Sequence, residues 1–230
     1  MKFDRPGTLS GPAVLLEPLS PDHQQALRAA AGNDDSIWTY FPINYNGAGA
    51  DFQHWFRYTL QRYEADEHYP FVVRRRSDNR IVGTTRFYDM VPDHLRLSIG
   101  STWYAKDVQG TLTNPEVRLL TLTYAFEQLR INRLEMITDP LNLSSRAAMK
   151  ILGAVEEGVI RNHMIYKDGR IRDSVLFSII RTEWPAVRAR LLAKLGYSAD
   201  SIRISTLQPA PRQAHRGLQI EPPPRGERAG

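Results

Sequence analysis

Along this chain, short apolar runs alternate with stretches of helical periodicity, and turn residues separate them. Ala13–Glu17 is an apolar run closed by Pro18 and predicts a first strand. Ser20-Pro21-Asp22 has the residue types of a helix start: serine as N-cap, proline in the first turn, an acid near the positive dipole end. That helix is expected to reach Ala31 and stop at Gly32-Asn33. A second helix is predicted over Ala50–Asp66, where Phe52, Trp55, Phe56, Thr59, Leu60 and Tyr63 recur at spacings of three and four. Three strand patterns follow, Tyr69–Arg75, Ile81–Val91 and Leu95–Tyr104. Their short connections, one holding Asp78-Asn79, suit an antiparallel meander.

The second half changes character. Thr113–Arg130 reads as a helix with a wide apolar face, Arg133–Asp139 as a buried strand, and Asn142-Leu143-Ser144-Ser145 as the opening of another helix. A strand over Val155–Arg161, a hairpin signal at Lys167-Asp168-Gly169 and a strand over Ser174–Ile180 come next. The last helix spans Thr182–Leu195, with Gly196 as C-cap. The resulting order, β α α β β β α β α β β α, implies a mixed α/β sheet in a single domain. Residues 1–11 read as a loose arm, 12–196 as the domain, and 197–230 as a Pro/Arg-rich disordered tail.

Composition narrows the picture. At 42% hydrophobic and 24% charged residues, the 230-residue chain belongs with ordinary globular proteins. The absence of cysteine excludes disulfides, Cys-ligated zinc and a thiol nucleophile. No run approaches the roughly 18–20 apolar residues of a membrane span, and no signal-peptide core follows the N-terminus. A cytoplasmic protein without membrane contact or metal is expected. Of the net charge of +5, Pro209–Gly230 carries +2 from four Arg and two Glu. No basic stripe interleaves with aromatics, so nucleic acid is not expected as the primary ligand. No Gly-x-Gly-x-x-Gly follows any strand, which argues against a dinucleotide fold.

Candidate chemistry gathers between Trp103 and Ala154. A glycine-containing turn, Gln109-Gly110-Thr111-Leu112-Thr113-Asn114, runs from a strand into a helix, and a helix start offers unpaired N–H groups to phosphates. Asn142-x-x-Ser145-x-x-Ala148 leads into Leu152-Gly153-Ala154. Glu157-Gly158 and Arg172-Asp173-Ser174-Val175 complete the series. In order and spacing these motifs resemble the GNAT superfamily of N-acetyltransferases over about residues 12–181. The nearest branch is that of bacterial acetyltransferases of ribosomal-protein N-termini. The family's two small turn residues fall here on Leu112 and Asn114.

The resemblance implies a GNAT-like fold, acetyl-CoA as cofactor and direct attack of an amine on the thioester. Trp103, Tyr104 and Ala105 would offer backbone N–H groups to the pantetheine arm. Gln109 to Asn114 would hold the pyrophosphate, and Asn142 and Ser145 would lie beside them. Ser145 could donate to the departing sulfur, or Ser144-Ser145 could simply cap the helix; Asn142 could equally be the N-cap.

The pattern Glu-Ile-Gly, which carries the base in many members, reads Ser98-Ile99-Gly100 here, and a second expected glutamate position falls on Met164. His163 is its neighbour, with Tyr166 and Asp173 close by; His163 is either a base or a polar residue on a half-exposed strand. An imidazole titrating near 6.5 suits an α-amine near 7.7–8.0 far better than a lysine near 10.4. The expected acceptor is therefore a low-pKa primary amine on a protein N-terminus or a small molecule. Residues 33–49 are aromatic, and either pack as core or line a substrate mouth with Trp38, Tyr40 and Tyr45. The apolar final strand and helix also suggest a homodimer. The rival reading is a GNAT fold without catalysis, acting as an acyl-CoA-binding or interaction module.

Overall fold

A computed structural model describes residues 2–206. Its strands are β1 (Pro6–Ser10), β2 (Val14–Pro18), β3 (Tyr69–Arg75), β4 (Ile81–Val91), β5 (Arg96–Tyr104), β6 (Arg133–Thr138), β7 (Val155–Ile165), β8 (Ile171–Ile180) and β9 (Arg203–Thr206). The helices are α1 (Gln24–Ala31), α2 (Ala50–Glu64), α3 (Thr113–Thr123), α4 (Leu143–Leu152) and α5 (Trp184–Leu195). All nine strands form one sheet in the order β7-β8-β6-β5-β4-β3-β2-β1-β9. Only β5 and β6 pair in parallel; the other neighbours are antiparallel.

The sheet separates two cores. Because side chains alternate across a strand, β3 sends Phe71 and Val73 to one face and Val72 to the other. On the first face they meet Val117, Leu120 and Tyr124 of the α3 segment and Leu191 of α5. On the second, Leu27, Phe52, Trp55 and Phe56 of α1 and α2 close over Trp38 and Trp103. No helix among the described residues is long and apolar enough to cross a membrane.

Both chain ends depart from the sequence expectation. Residues 6–10, expected as part of a loose arm, form β1, with Leu9 fully buried opposite Leu16. Residues 2–5 are tied down as well: Arg5 meets Asp66, and the Tyr124 hydroxyl donates to the Asp4 carbonyl at 2.7 Å. Residues 203–206, expected in the tail, form β9 on the outer side of β1. Proline and glycine give Pro6–Ser10 little strand propensity, and only pairing with distant segments makes it a strand. The rest of the expected tail, 207–230, lies outside the described residues. The apolar residues behind the dimer expectation, Val175, Phe177 and Ile179 of β8 and Val187 and Leu191 of α5, are buried within the chain itself.

Candidate active site

The parallel pair β5–β6 holds register only from Arg96 to Ser98 against Arg133 to Glu135, and beyond that the strands part. The cause lies in β5. Ser101 sits in the left-handed region (φ 48°), and the β4–β5 register slips between Thr84 and Arg86. Such a bulge bends its strand and breaks the ladder. Gly100 permits the close approach, since a Cβ there would lie 3.1 Å from the Tyr88 ring. The parted strands open a cleft of about 980 Å³ that is lined from both faces of the sheet.

One wall is the turn after β5. Ala105 N–H donates back to the Val82 carbonyl at 2.8 Å, and Gln109 Nε2 donates to the Tyr104 carbonyl at 3.0 Å. Gly110 adopts φ 74°, a conformation that a side chain would strain. The Thr111 hydroxyl donates to the Val108 carbonyl at 2.7 Å and accepts the Thr113 N–H at 3.3 Å. Helix α3 starts at Thr113 with no side-chain cap from Leu112. With Thr113 N–H on Thr111, Glu116 N–H on the Leu112 carbonyl and no N–H on Pro115, the Asn114 N–H is the first-turn donor left available to a ligand among the described residues. The Tyr104 hydroxyl donates to Asn114 Oδ1 at 3.1 Å.

The facing wall is the start of α4. Asn142 Oδ1 accepts the Ser145 N–H at 3.0 Å and the Ser144 hydroxyl at 2.9 Å, which makes Asn142 the N-cap. Ser145 lines the cleft, and its own hydroxyl has no hydrogen-bond partner among the described residues.

Beyond the gap, the cleft reaches Tyr45, His68, Arg86, Tyr88 and Asp89. Arg86 Nη1 donates to Thr59 Oγ1 at 3.3 Å, while its Nε is buried without a partner. Arg118 of α3 is similar: Nη2 donates to Thr102 Oγ1 at 3.3 Å and Nη1 is buried unpartnered. Burial pushes both guanidinium pKa values down, yet arginine stays charged. Burial, with Arg86 and Arg62 adding repulsion, pushes His68 down to about 4. Burial and then Asp89 push the Tyr88 phenol up to about 12, so it remains protonated. Burial also works against ionisation of Asp139, but the Leu141 N–H and the Arg170 guanidinium outweigh it and hold that carboxyl below its usual range.

A family model described as an acetyltransferase (GNAT) domain matches residues 13–155. The chain belongs to the GNAT acetyltransferases. Probable N-acetyltransferase YjcK of Bacillus subtilis is 29% identical over 104 residues, 45% of this chain and 58% of that relative. The chain thus spans less than two thirds of the length of the curated relatives it matches. A GCN5-related N-acetyltransferase from Brucella melitensis superposes with a TM-score of 0.75 at 26% identity, covering 83% of this chain and 88% of that one. Mycobacterium smegmatis RimJ, solved with CoA-disulfide, shares the fold (TM-score 0.70, 22% identity, 85% of this chain and 98% of that one).

Within this GNAT cleft the residues expected from sequence divide. Trp103, Tyr104, Gln109, Gly110, Thr111, Asn114, Asn142, Ser145, Tyr40 and Tyr45 line it. Leu112 and Thr113 do not; the Leu112 side chain is 52% exposed to solvent. Ala105 lies off the cleft, with its N–H already engaged by Val82.

Trp38 is core rather than mouth, packed edge-on against Trp103, Phe41 and Tyr45. His163 is outside the cleft, on the exposed edge strand β7, where Nδ1 meets the Ser174 hydroxyl at 2.9 Å. Asp173 accepts the Asn162 N–H at 2.7 Å in the same hairpin. Tyr166 is buried behind the cleft wall and donates to the Tyr40 carbonyl at 2.9 Å; Asp139 Oδ2 lies 3.3 Å from its hydroxyl. The resemblance places a base at Met164, which does line the cleft; its neighbour His163 does not. The positive φ of Asn162, with the β7–β8 register slip before Met164, marks a bulge that breaks the strand's regular alternation here.

Sequence reasoning passed over His68, Arg86, Tyr88 and Arg118. A faint signal was present: Arg86 and Tyr88 share a strand face, and Arg118 lies four residues beyond Asn114 on one helix side.

Proposed function

We propose that this GNAT protein moves an acetyl group from acetyl-CoA directly to a primary amine of low basicity. The observation that carries the reading is the parted β5–β6 pair, which brings the phosphate-type turn and the unengaged Ser145 hydroxyl into one cleft. The turn fits a pyrophosphate: Gly110 has open space where a Cβ would stand, and the Leu112 side chain faces solvent. Acetyl-CoA would supply the activated acetyl thioester. The N–H groups of Gly110, Leu112 and Asn114, which have no acceptor among the described residues, and the α3 dipole would hold the phosphates. Asn142 orients Ser145 by capping α4, and the Ser145 hydroxyl would give its proton to the departing sulfur.

Deprotonation of the acceptor is left to weak groups. His68, held near 4, is a poor base at neutral pH, and Asp139 is occupied by Arg170 and Leu141. Asp89 is the remaining carboxylate among the described cleft residues. An amine of pKa near 7.8 is about one third neutral at pH 7.5, whereas a lysine near 10.4 is about 0.1% neutral. A site with no strong base therefore favours the former. The test is calorimetric titration of acetyl-CoA and CoA, followed by CoA release with an amine panel at pH 7.5. Micromolar binding and turnover of α-amines above lysine side chains are expected; faster lysine acetylation would defeat the acceptor assignment. The scarcity of free carboxylates in the cleft favours a second reading, an acyl-CoA-binding module, which requires binding with no turnover on any amine.

A further inference from the structure

We propose that the acceptor carries, besides its amine, an anionic group, a carboxylate or a phosphate, received by the guanidinium groups of Arg86 and Arg118. Calling the occupant an acceptor rests on the acetyl-transfer reading; the anion site itself does not.

Three other partly buried arginines show what is missing at these two, although Arg28 and the buried Arg172, which lines the same cleft, also have no carboxylate partner among the described residues. Arg74 is bidentate on Glu17, Arg133 pairs with Glu135 and Glu157, and Arg170 pairs with Asp139. Arg86 and Arg118 have only threonine hydroxyls, each at 3.3 Å, and each keeps one buried N–H unsatisfied. No carboxylate lies within ion-pair distance of either among the described residues. A desolvated cation without a counter-charge is strongly destabilising, so two of them on one cleft mark a place where the counter-charge arrives with a ligand.

The surroundings suit that ligand. Tyr88, two residues from Arg86 on the same face of β4, also lines the cleft, and its hydroxyl, which has no partner among the described residues, can donate a further hydrogen bond to an anion. Arginine's fork matches the paired oxygens of a carboxylate or phosphate. Asp89, three residues along β4 from Arg86, lines the same cleft without a hydrogen bond to the described residues and offers the opposite charge to an ammonium group. A cleft with buried guanidinium groups and a free carboxylate complements an amino-carboxylate or amino-phosphate, with Tyr45 and Trp103 covering its apolar body.

The test uses the full chain and three probes of one phenylethyl body: 3-phenylpropionate, 2-phenylethyl phosphate and neutral 3-phenylpropionamide. Each is titrated with and without saturating CoA, followed by saturation-transfer NMR. At least one anion is expected to bind about tenfold or more tightly than the amide, in the presence of CoA. The better anion says which group the acceptor bears. Arg86→Gln should remove the preference and Arg86→Lys should restore part of it, with thermal unfolding checking each variant. If Arg86→Gln does not fold, the wild-type contrast between anions and amide still decides.

Equal binding of amide and anions overturns the proposal. So does loss of anion binding on adding CoA, which would assign the arginines to the cofactor. Anion binding in a protein that does not bind CoA would keep this site and remove acetyl transfer. CoA binding without anion preference would do the reverse.

Discussion

Glu116 is the residue whose removal should matter most to the frame around the cleft. It lies in the first turn of α3, fully buried, and has no ion-pair partner among the described residues. Oε1 accepts the N–H groups of Ala13 and Val14 at 2.8 and 3.1 Å, and Oε2 accepts the Tyr197 hydroxyl at 2.8 Å. One carboxylate thus joins the start of β2, the helix that carries the phosphate turn and the segment leading to β9. A Cβ on Gly11 would run into it, so the chain passes close by.

Glu116→Ala leaves two buried backbone donors and a phenol without an acceptor. Each orphaned group costs about 1–3 kcal/mol, and with some relief from entering water the sum should be about 3–5 kcal/mol. That is a large part of the roughly 5–15 kcal/mol that holds a domain together. Glu116→Gln retains one acceptor oxygen of the same shape and should lose about 1–2 kcal/mol. Urea unfolding followed by circular dichroism reads both, with the slope checked for constancy. CoA titration should show weaker binding for Glu116→Ala, because the start of α3 loses its anchor. A loss under about 1 kcal/mol in the alanine variant, or equal losses in the two variants, would refute the reasoning.

Ser145→Ala should lower kcat about 10- to 100-fold while leaving CoA affinity within about threefold, because the hydroxyl makes no hydrogen bond to the described residues. Equal effects on both would make the serine a binding residue. Leu112→Ala should change CoA affinity less than about threefold, since the side chain faces solvent; a large gain in calorimetry would mean that Leu112 obstructs the turn. Because the folded-state pKa of His68 is depressed to about 4, the protein should keep its stability above pH 6.5 and lose part of it as pH falls from there towards 4. The full shift corresponds to about 3 kcal/mol, and solvent screening of this partly exposed ring reduces it to about 1–2 kcal/mol. His68→Gln should flatten the denaturation midpoint over that window, and an unchanged slope would assign the acid sensitivity elsewhere.

What the sequence by itself determined was local. The Gly110 turn needs a left-handed residue, and Asn142 has the side chain that caps a helix; both are properties of a few neighbouring residues. The apolar run of β8 and the periodicity of α2 and α5 likewise announce their elements without a partner.

Tertiary structure decided what depends on remote pairing and on facing. Pro6–Ser10 and Arg203–Thr206 are strands because β2 offers an edge to β1 and β1 offers its own to β9. The Ser101 bulge and the short β5–β6 pairing open the cleft, and no local pattern encodes where two strands part. Facing then sorted the candidates. In a strand one residue of register reverses every side chain except where a bulge intervenes, as at Asn162, beyond which Met164 reaches the cleft while His163 meets Ser174. By the same rule Arg86 and Tyr88, ordinary alternating residues in the sequence, become the charged and polar lining of the cleft.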